Sequence, residues 1–340
     1  MNIKPLLFLV CLLWCFSLNA DVSEGGINKS THPRLLLSPS TVNEMKSGME
    51  TYPLFSKSVQ ASKDWVGQSL HQPINVPQPK DPGGGFTHEQ HKRNFRLIRE
   101  AGILYQLTED KTYADFVKKL LLAYADLYPG LPEHPAKKEQ SPGRLFWQSL
   151  NEAMWLVNSI QGYDAVVETF SSNERKQIES NLFIPMASFL SDESPQTFDR
   201  IHNHGTWANA AVGMTGYVLG DELLVKKSLL GLELNGEAGF FKHLDSLFSP
   251  DGYYNEGPYY HRFALMPFIL FAAAIENNNP EKKIFDYRDG ILKKAVNAII
   301  QMSYNGLFFP LNDAIKDKGL TTVELKYAIG IVYDLSLIHI

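Results

Sequence analysis

The sequence predicts an all-α protein, an (α/α) incomplete toroid of helical hairpins, and three observations carry that expectation. Apolar residues recur at helical spacing in segment after segment over about 270 residues, whereas alternating strand patterns are almost absent. Short, breaker-rich turns separate the segments, as expected of helices packed in pairs. No fixed-length repeat is present, which argues against a regular solenoid. With 340 residues, 44% hydrophobic and 12% aromatic, the chain has ample material for a large core.

Residues 1–20 carry Lys4 as their only charge, an apolar run from Pro5 to Phe16, and the small residue Ala20 before Asp21. That pattern reads as a secretory signal peptide, too short for a stable membrane span. The bulky Trp14 before Cys15 argues against lipoprotein-type processing. Both cysteines, Cys11 and Cys15, fall inside the leader, so the mature protein is expected to contain no thiol and to reside in the periplasm or outside the cell. Residues 21–33 read as a flexible lead-in, and 21–315 as the helical domain. The formal net charge of −5 gives no global pull toward nucleic acid or, beyond export, toward a membrane.

Ser40 is expected to cap a first helix containing Val42, Met45 and Met49, and Pro53 to open a second with Phe55, Val59, Trp65 and Leu70. INVPQPKDPGGGF, residues 74–86, is too rich in breakers for helix or central strand, and a loop of that length is more often functional than idle. Helical spacing resumes at Phe95, Ile98 and Tyr105, and again after Asp110 until PGLPEHP at 129–135. Six further helical segments follow, among them NHGTWANAAVGMTGYVLG, DELLVKKSLLGLELNGEAGFFKHL and PYYHRFALMPFILFAAAIE. Pro267 is expected to kink or interrupt the last of these three. After Gly306 the texture changes to loop, and 326–340 reads as a helix or the start of something β-like. The apolar end, Leu-Ile-His-Ile, suggests a truncated reading frame, with 316–340 as the start of a further region.

The densest chemistry lies in DGYYNEGPYYHRF, residues 251–263, with four tyrosines, a histidine and an arginine beside Gly257-Pro258. A free phenol titrates at about 10, so a catalytic tyrosine acting as a base needs positive neighbours, and Arg262 and His261 are the nearest. The same residues can equally be an aromatic cluster over a helix start. Asn203 and His204 open a helix whose inward face carries Trp207 and Met214, a position suited to an anion because backbone N–H groups and the helix dipole favour negative charge there. The bland alternative is an ordinary cap and a packed ring. Asn151 is expected mid-helix between Trp147 and Trp155, a polar amide on an aromatic stripe that needs a partner. Lys137, Lys138 and Arg144 form a basic segment that is either solvated surface or the edge of a groove.

Other chemistries find less support. There is no phosphate-binding or dinucleotide motif, no HExxH and no nucleophile elbow, and no cofactor is implied. His88 and His91 share a helix face but have no evident third ligand, so no metal site is assigned. Glu152, Asp245, Asp251 and Glu256 are available for a glycosidase-type carboxylate pair.

Taken together, HPRLLLSPSTV, KDPGGGFTHEQHKRN, SLNEAMW, NHGTW and DGYYNEGPYYHR resemble blocks of the alginate lyase and heparinase II/III-like superfamily, most nearly its oligoalginate lyases. The resemblance covers about residues 32–315. It implies an α/α toroid followed by a C-terminal β-sandwich domain that is missing here, with the active site between the two, so that this chain is expected to show little activity alone. It also implies β-elimination on an acidic polysaccharide or oligosaccharide. Asn203 and His204 would neutralise the uronate carboxylate, and Tyr260, with Tyr259 as a rival, would protonate the leaving O4 or act as the base. Arg262, Asn151 and Lys138 would contact substrate. Residues two apart do not share a helix face, so Tyr260 and Arg262 can meet one ligand only if that segment is extended or turning. A glycosaminoglycan lyase, a toroid glycoside hydrolase and a secreted glycan-binding protein remain as alternatives.

Overall fold

The computed structural model describes residues 31–315 and 317–337; the leader at 1–20 and residues 338–340 lie outside the described residues. Fourteen α-helices account for most of that span: α1 Pro39–Thr51, α2 Pro53–Leu70, α3 Phe86–Thr108, α4 Lys111–Leu127, α5 Ser149–Val166, α6 Ser172–Ile178, α7 Ile184–Leu190, α8 Pro195–Phe198, α9 Asn203–Leu219, α10 Glu222–Leu230, α11 Gly239–Leu247, α12 Pro258–Asn278, α13 Tyr287–Gln301 and α14 Val323–Leu337. A short antiparallel hairpin, β1 Ser303–Tyr304 with β2 Leu307–Phe308, is the only sheet among the described residues.

The helices form an inner and an outer layer. Along α3 and α5, His88 meets the Phe146 ring just before α5, Arg99 donates to Asn158 Oδ1 at 2.6 Å, and Gln106 donates to the Ala165 carbonyl. Partner numbers rise together, so the two helices run parallel. The same holds for α9 and α12, where Trp207 packs on Phe263 and Tyr217 on Phe271. Packing continues from α3 to α5, α9, α12 and α14, and Tyr327 of α14 lies 5.4 Å from the Arg99 guanidinium of α3, joining the last inner helix to the first. α4, α10 and α13 pack outside as the hairpin partners of α3, α9 and α12. This is the toroid that the helical spacing predicts.

Inner helices touch neighbours on nearly every side, and α5, α9 and α12 are accordingly buried along most of their length rather than on one stripe. Trp155 and Trp207 are fully enclosed. α3 and α5 cross where Gly102 faces Gly162, and a Cβ on Gly102 would lie 2.9 Å from the Gly162 carbonyl oxygen. An alanine there would push the two helices apart. Leu325, Ala328 and Val332 of α14 join the same core, so the packed body continues beyond residue 315.

Several local expectations are corrected. α1 is capped by Ser38, whose Oγ accepts from the Thr41 amide, because Pro39 suits the first helical position and leaves Ser40 inside the turn. α12 is not interrupted at Pro267; the burial of Leu265, Phe268, Ile269 and Phe271 on all sides outweighs the lost backbone bond. The segment 221–247 is two helices, separated at Gly231, whose φ of 85° an L side chain rarely adopts. α5 begins only at Ser149, since Trp147 and Ser149 are tied to the preceding loop through Lys138 N–H to Trp147 O (2.8 Å) and Ser149 N–H to Ser141 O (3.0 Å). Asn151 therefore sits in a first turn, not mid-helix.

Candidate active site

Parallel inner helices put their N-terminal ends at one rim of the toroid. α3, α5, α9 and α12 begin there, and the free N–H groups of their first turns favour negative charge. The glycine-rich loop before α3 lies across this rim. Asp81 accepts from the Thr87 backbone at 2.9 Å and from its hydroxyl at 3.0 Å, bonds that hold the carboxyl below its ordinary range and pin the loop to the helix start. Gly83 abuts the Trp147 indole, where a Cβ would come within 3.2 Å of Nε1. The Lys138 ammonium stands 5.9 Å from the same ring.

Asn203, His204 and their neighbours form the next stretch of rim. Asn203 is buried, and its Nδ2 donates to Glu256 Oε2 at 3.0 Å. Tyr254 O–H donates to that same oxygen at 2.8 Å, and His202 Nε2 lies 3.6 Å from the other. The His202 Nδ1 caps α9 by accepting from the His204 amide at 3.3 Å, and the two rings are 5.0 Å apart. His204 is half-buried and titrates at about 4, pushed down first by burial and then by the positive charges of His202, Lys138 and Arg200. Its imidazole is neutral at pH 7. Gly205 allows this turn, because a Cβ there would fall on the Arg200 carbonyl oxygen.

The tyrosines differ from expectation. Helix α12 starts at Pro258, so Tyr260 and Arg262 point from different faces, and the extended segment that would let both meet one ligand is absent. Arg262 is buried, donates to Glu324 of α14 at 2.5 Å, and lies 4.6 Å over the Tyr259 ring. It serves the α12–α14 contact instead of standing open at the rim. His261 is fully buried against Phe248 and Tyr254 and pushed down to about 3 by burial, so it supplies no positive charge. Tyr260, half-exposed and 5.0 Å from the Tyr259 ring, is accordingly raised above the ordinary phenol value, by burial first and then by Tyr259, Asp313 and Glu256; Arg262 opposes the shift without cancelling it. Tyr260 is a phenol near neutral pH, where a base would require a phenolate.

The structure thus brings Lys138, Asn203, His204 and Tyr260 to one rim through shared neighbours, with Glu256 felt at both Asn203 and Tyr260. Asn151 joins them at the start of α5, where its Oδ1 accepts from Gln148 at 3.0 Å. The carboxylates do not form a pair. Glu152 is enclosed with Tyr128 and the Arg144 amide, Asp245 accepts from Tyr287, and Asp251 closes a turn with Ser249. His91 bonds Tyr124 and His88 meets the Phe146 ring edge to face, and among the described residues no group of three or more His, Cys, Asp or Glu is placed to hold a metal ion. Sequence reasoning missed His202 and the support role of Glu256; a histidine one residue before the helix start was the available signal for the first.

A family model for alginate lyase matches residues 50–309. The chain is 59% identical over 317 residues to an exo-oligoalginate lyase of Saccharophagus degradans, covering 93% of this chain and 42% of that protein. It is 52% identical over 322 residues to an alginate lyase of Stenotrophomonas maltophilia, covering 95% and 43%. The chain therefore spans less than half the length of these curated relatives. A crystal structure of an alginate lyase from Bacteroides ovatus superposes with a TM-score of 0.62 at 12% identity, over 91% of this chain and 93% of that one, a likeness of fold. Matched over most of its helical body, the chain belongs to the alginate lyase family.

Proposed function

We propose that this chain contributes the toroid half of a polysaccharide lyase that cleaves alginate oligouronates by β-elimination. The observation that carries the reading is the bond from the buried Asn203 to Glu256, which fixes an amide beside the neutral His204 at the rim where the inner helices begin. Elimination breaks the C5–H and C4–O4 bonds and forms a C4=C5 double bond conjugated to the carboxyl group. The C5 proton is weakly acidic, so hydrogen bonds and helix N-termini placed at the carboxylate lower the barrier where charge develops. Asn203 and His204 take that role, and Lys138 and Asn151 lie where the rest of the sugar would be held. Tyr260, kept as a phenol by its surroundings, gives its proton to the departing O4, while the C5 proton passes to the unprotonated ring nitrogen of the neutral His204 imidazole. The scattered carboxylates offer no support for hydrolysis, and an exported location accords with the apolar leader at 1–20.

The test is to mix the protein, at concentrations high enough to read the low rate expected of one half of the site, with defined alginate oligomers and follow the ultraviolet absorbance of the conjugated product. Unsaturated ends that vanish in Tyr260→Phe support the proposal. Saturated products, or a rate indifferent to that substitution, overturn it.

A further inference from the structure

One cavity lies away from the rim. About 590 Å³ of space opens between α2, α3 and α4, within the range of small-molecule sites. It lies on the far side of α3 from the toroid interior. Gln90, Arg93 and Leu97, spaced for one helical face, line it, whereas His88 and Arg99 on the opposite face reach toward α5.

Its chemistry is selective. Gln68, Gln72 and Gln90, the last donating to Asn94 Oδ1 at 2.9 Å, line it beside the apolar Phe116 and Leu120, and no carboxylate does although the protein is acidic overall. The one charge is Arg93. Its Nη2 donates to Ser69 Oγ at 3.0 Å and its guanidinium lies 5.6 Å from the Trp65 ring, which hold the planar group in place while its other N–H groups remain to donate. None of the ion pairs among the described residues involves Arg93. Amides for hydroxyl groups, an apolar wall for a sugar's C–H face and one oriented guanidinium for a carboxylate are the groups a uronic acid presents in return.

We propose that this cavity is a second saccharide site, separate from the rim, that holds a uronate unit with its carboxylate on Arg93. Its ligand class rests on the function proposed above, but its occupancy does not depend on catalysis. The probe is the mannuronate monosaccharide, which has no glycosidic bond to cleave, titrated calorimetrically into the protein, with mannose as the uncharged control. We expect Arg93→Gln to weaken one binding event at least fivefold and Gln72→Ala, on the exposed loop, to weaken it severalfold, while unsaturated-product formation stays within twofold of the parent. Binding unchanged in both variants, or mannose bound as well as mannuronate, overturns the proposal. Should Arg93→Gln fail to fold, Gln72→Ala decides alone. Loss of product formation with retained Arg93-dependent binding counts against the rim, not against this site.

Discussion

Asn203 Nδ2 and Glu256 Oε2 are joined at 3.0 Å, and this bond links the start of α9 to the turn before α12. Glu256→Ala would leave a buried amide without its acceptor, at a cost of about 1–3 kcal/mol, and free Asn203 to turn away from a ligand. Glu256→Gln keeps an oxygen acceptor and removes one negative charge from the rim. We expect kcat/KM on alginate oligomers to fall at least tenfold in the alanine variant and much less in the glutamine variant. Equal losses in both would show that the charge, not the bond, matters.

Tyr260→Phe should reduce unsaturated-product formation by about 10²–10⁴-fold, the range for loss of a positioned acid, with little change in oligomer binding. The pH profile offers an independent reading. With Tyr260 raised above 10 and His204 lowered to about 4, neither group changes charge between pH 6 and 9 in the free protein. kcat/KM should therefore be flat across that interval, and a limb near 6.5 would contradict a His204 kept neutral by its surroundings.

Arg262 and Glu324 hold α14 against α12 with only 8% and 16% of their side-chain surface exposed. Removing one member of such a pair strands the other, typically at about 3–5 kcal/mol. Glu324→Ala is expected to lower the thermal midpoint clearly. A variant that keeps its midpoint but raises KM would return Arg262 to the substrate.

Gly205→Ala tests the tight turn behind the site. The added methyl would meet the Arg200 carbonyl, so the turn must move and carry Asn203 and His204 with it. Activity should drop more than stability, measured by rate and by denaturant midpoint on the same preparation.

Acid should destabilise the fold through its buried histidines. His91 and His261 titrate at about 3 and His243 at about 4, all lowered chiefly by burial, against 6.5 when unfolded. Their depressed folded values mean that stability is complete above pH 6.5 and declines as the pH falls from there toward 3, because the unfolded chain binds the protons first. The denaturant midpoint should be lower at pH 5 than at pH 7. His261→Leu should flatten that dependence, and an unchanged slope would assign it elsewhere.

The helical architecture was legible because the spacing of apolar residues carries it, whereas the cap expected at Ser40 lies inside the helix that Ser38 caps. Asn203 and Tyr260 could be singled out because polar groups at the start of buried helices demand an explanation. What the sequence concealed depends on long-range partners. Arg262 looked like a substrate ligand until Glu324, sixty-two positions away, was found beside it, and Asn151 moved to a first turn only because distant loop residues hold Trp147 and Ser149. Proline at 267 shows the converse, a local rule overruled by burial that no single stretch reveals.

The common direction of the inner helices has a further effect. Much of the pull on an anion at their shared end comes from peptide groups, which every substitution leaves in place. A substitution at that opening therefore changes the shape and the hydrogen bonds offered there, while the positive ends of the backbone helices remain.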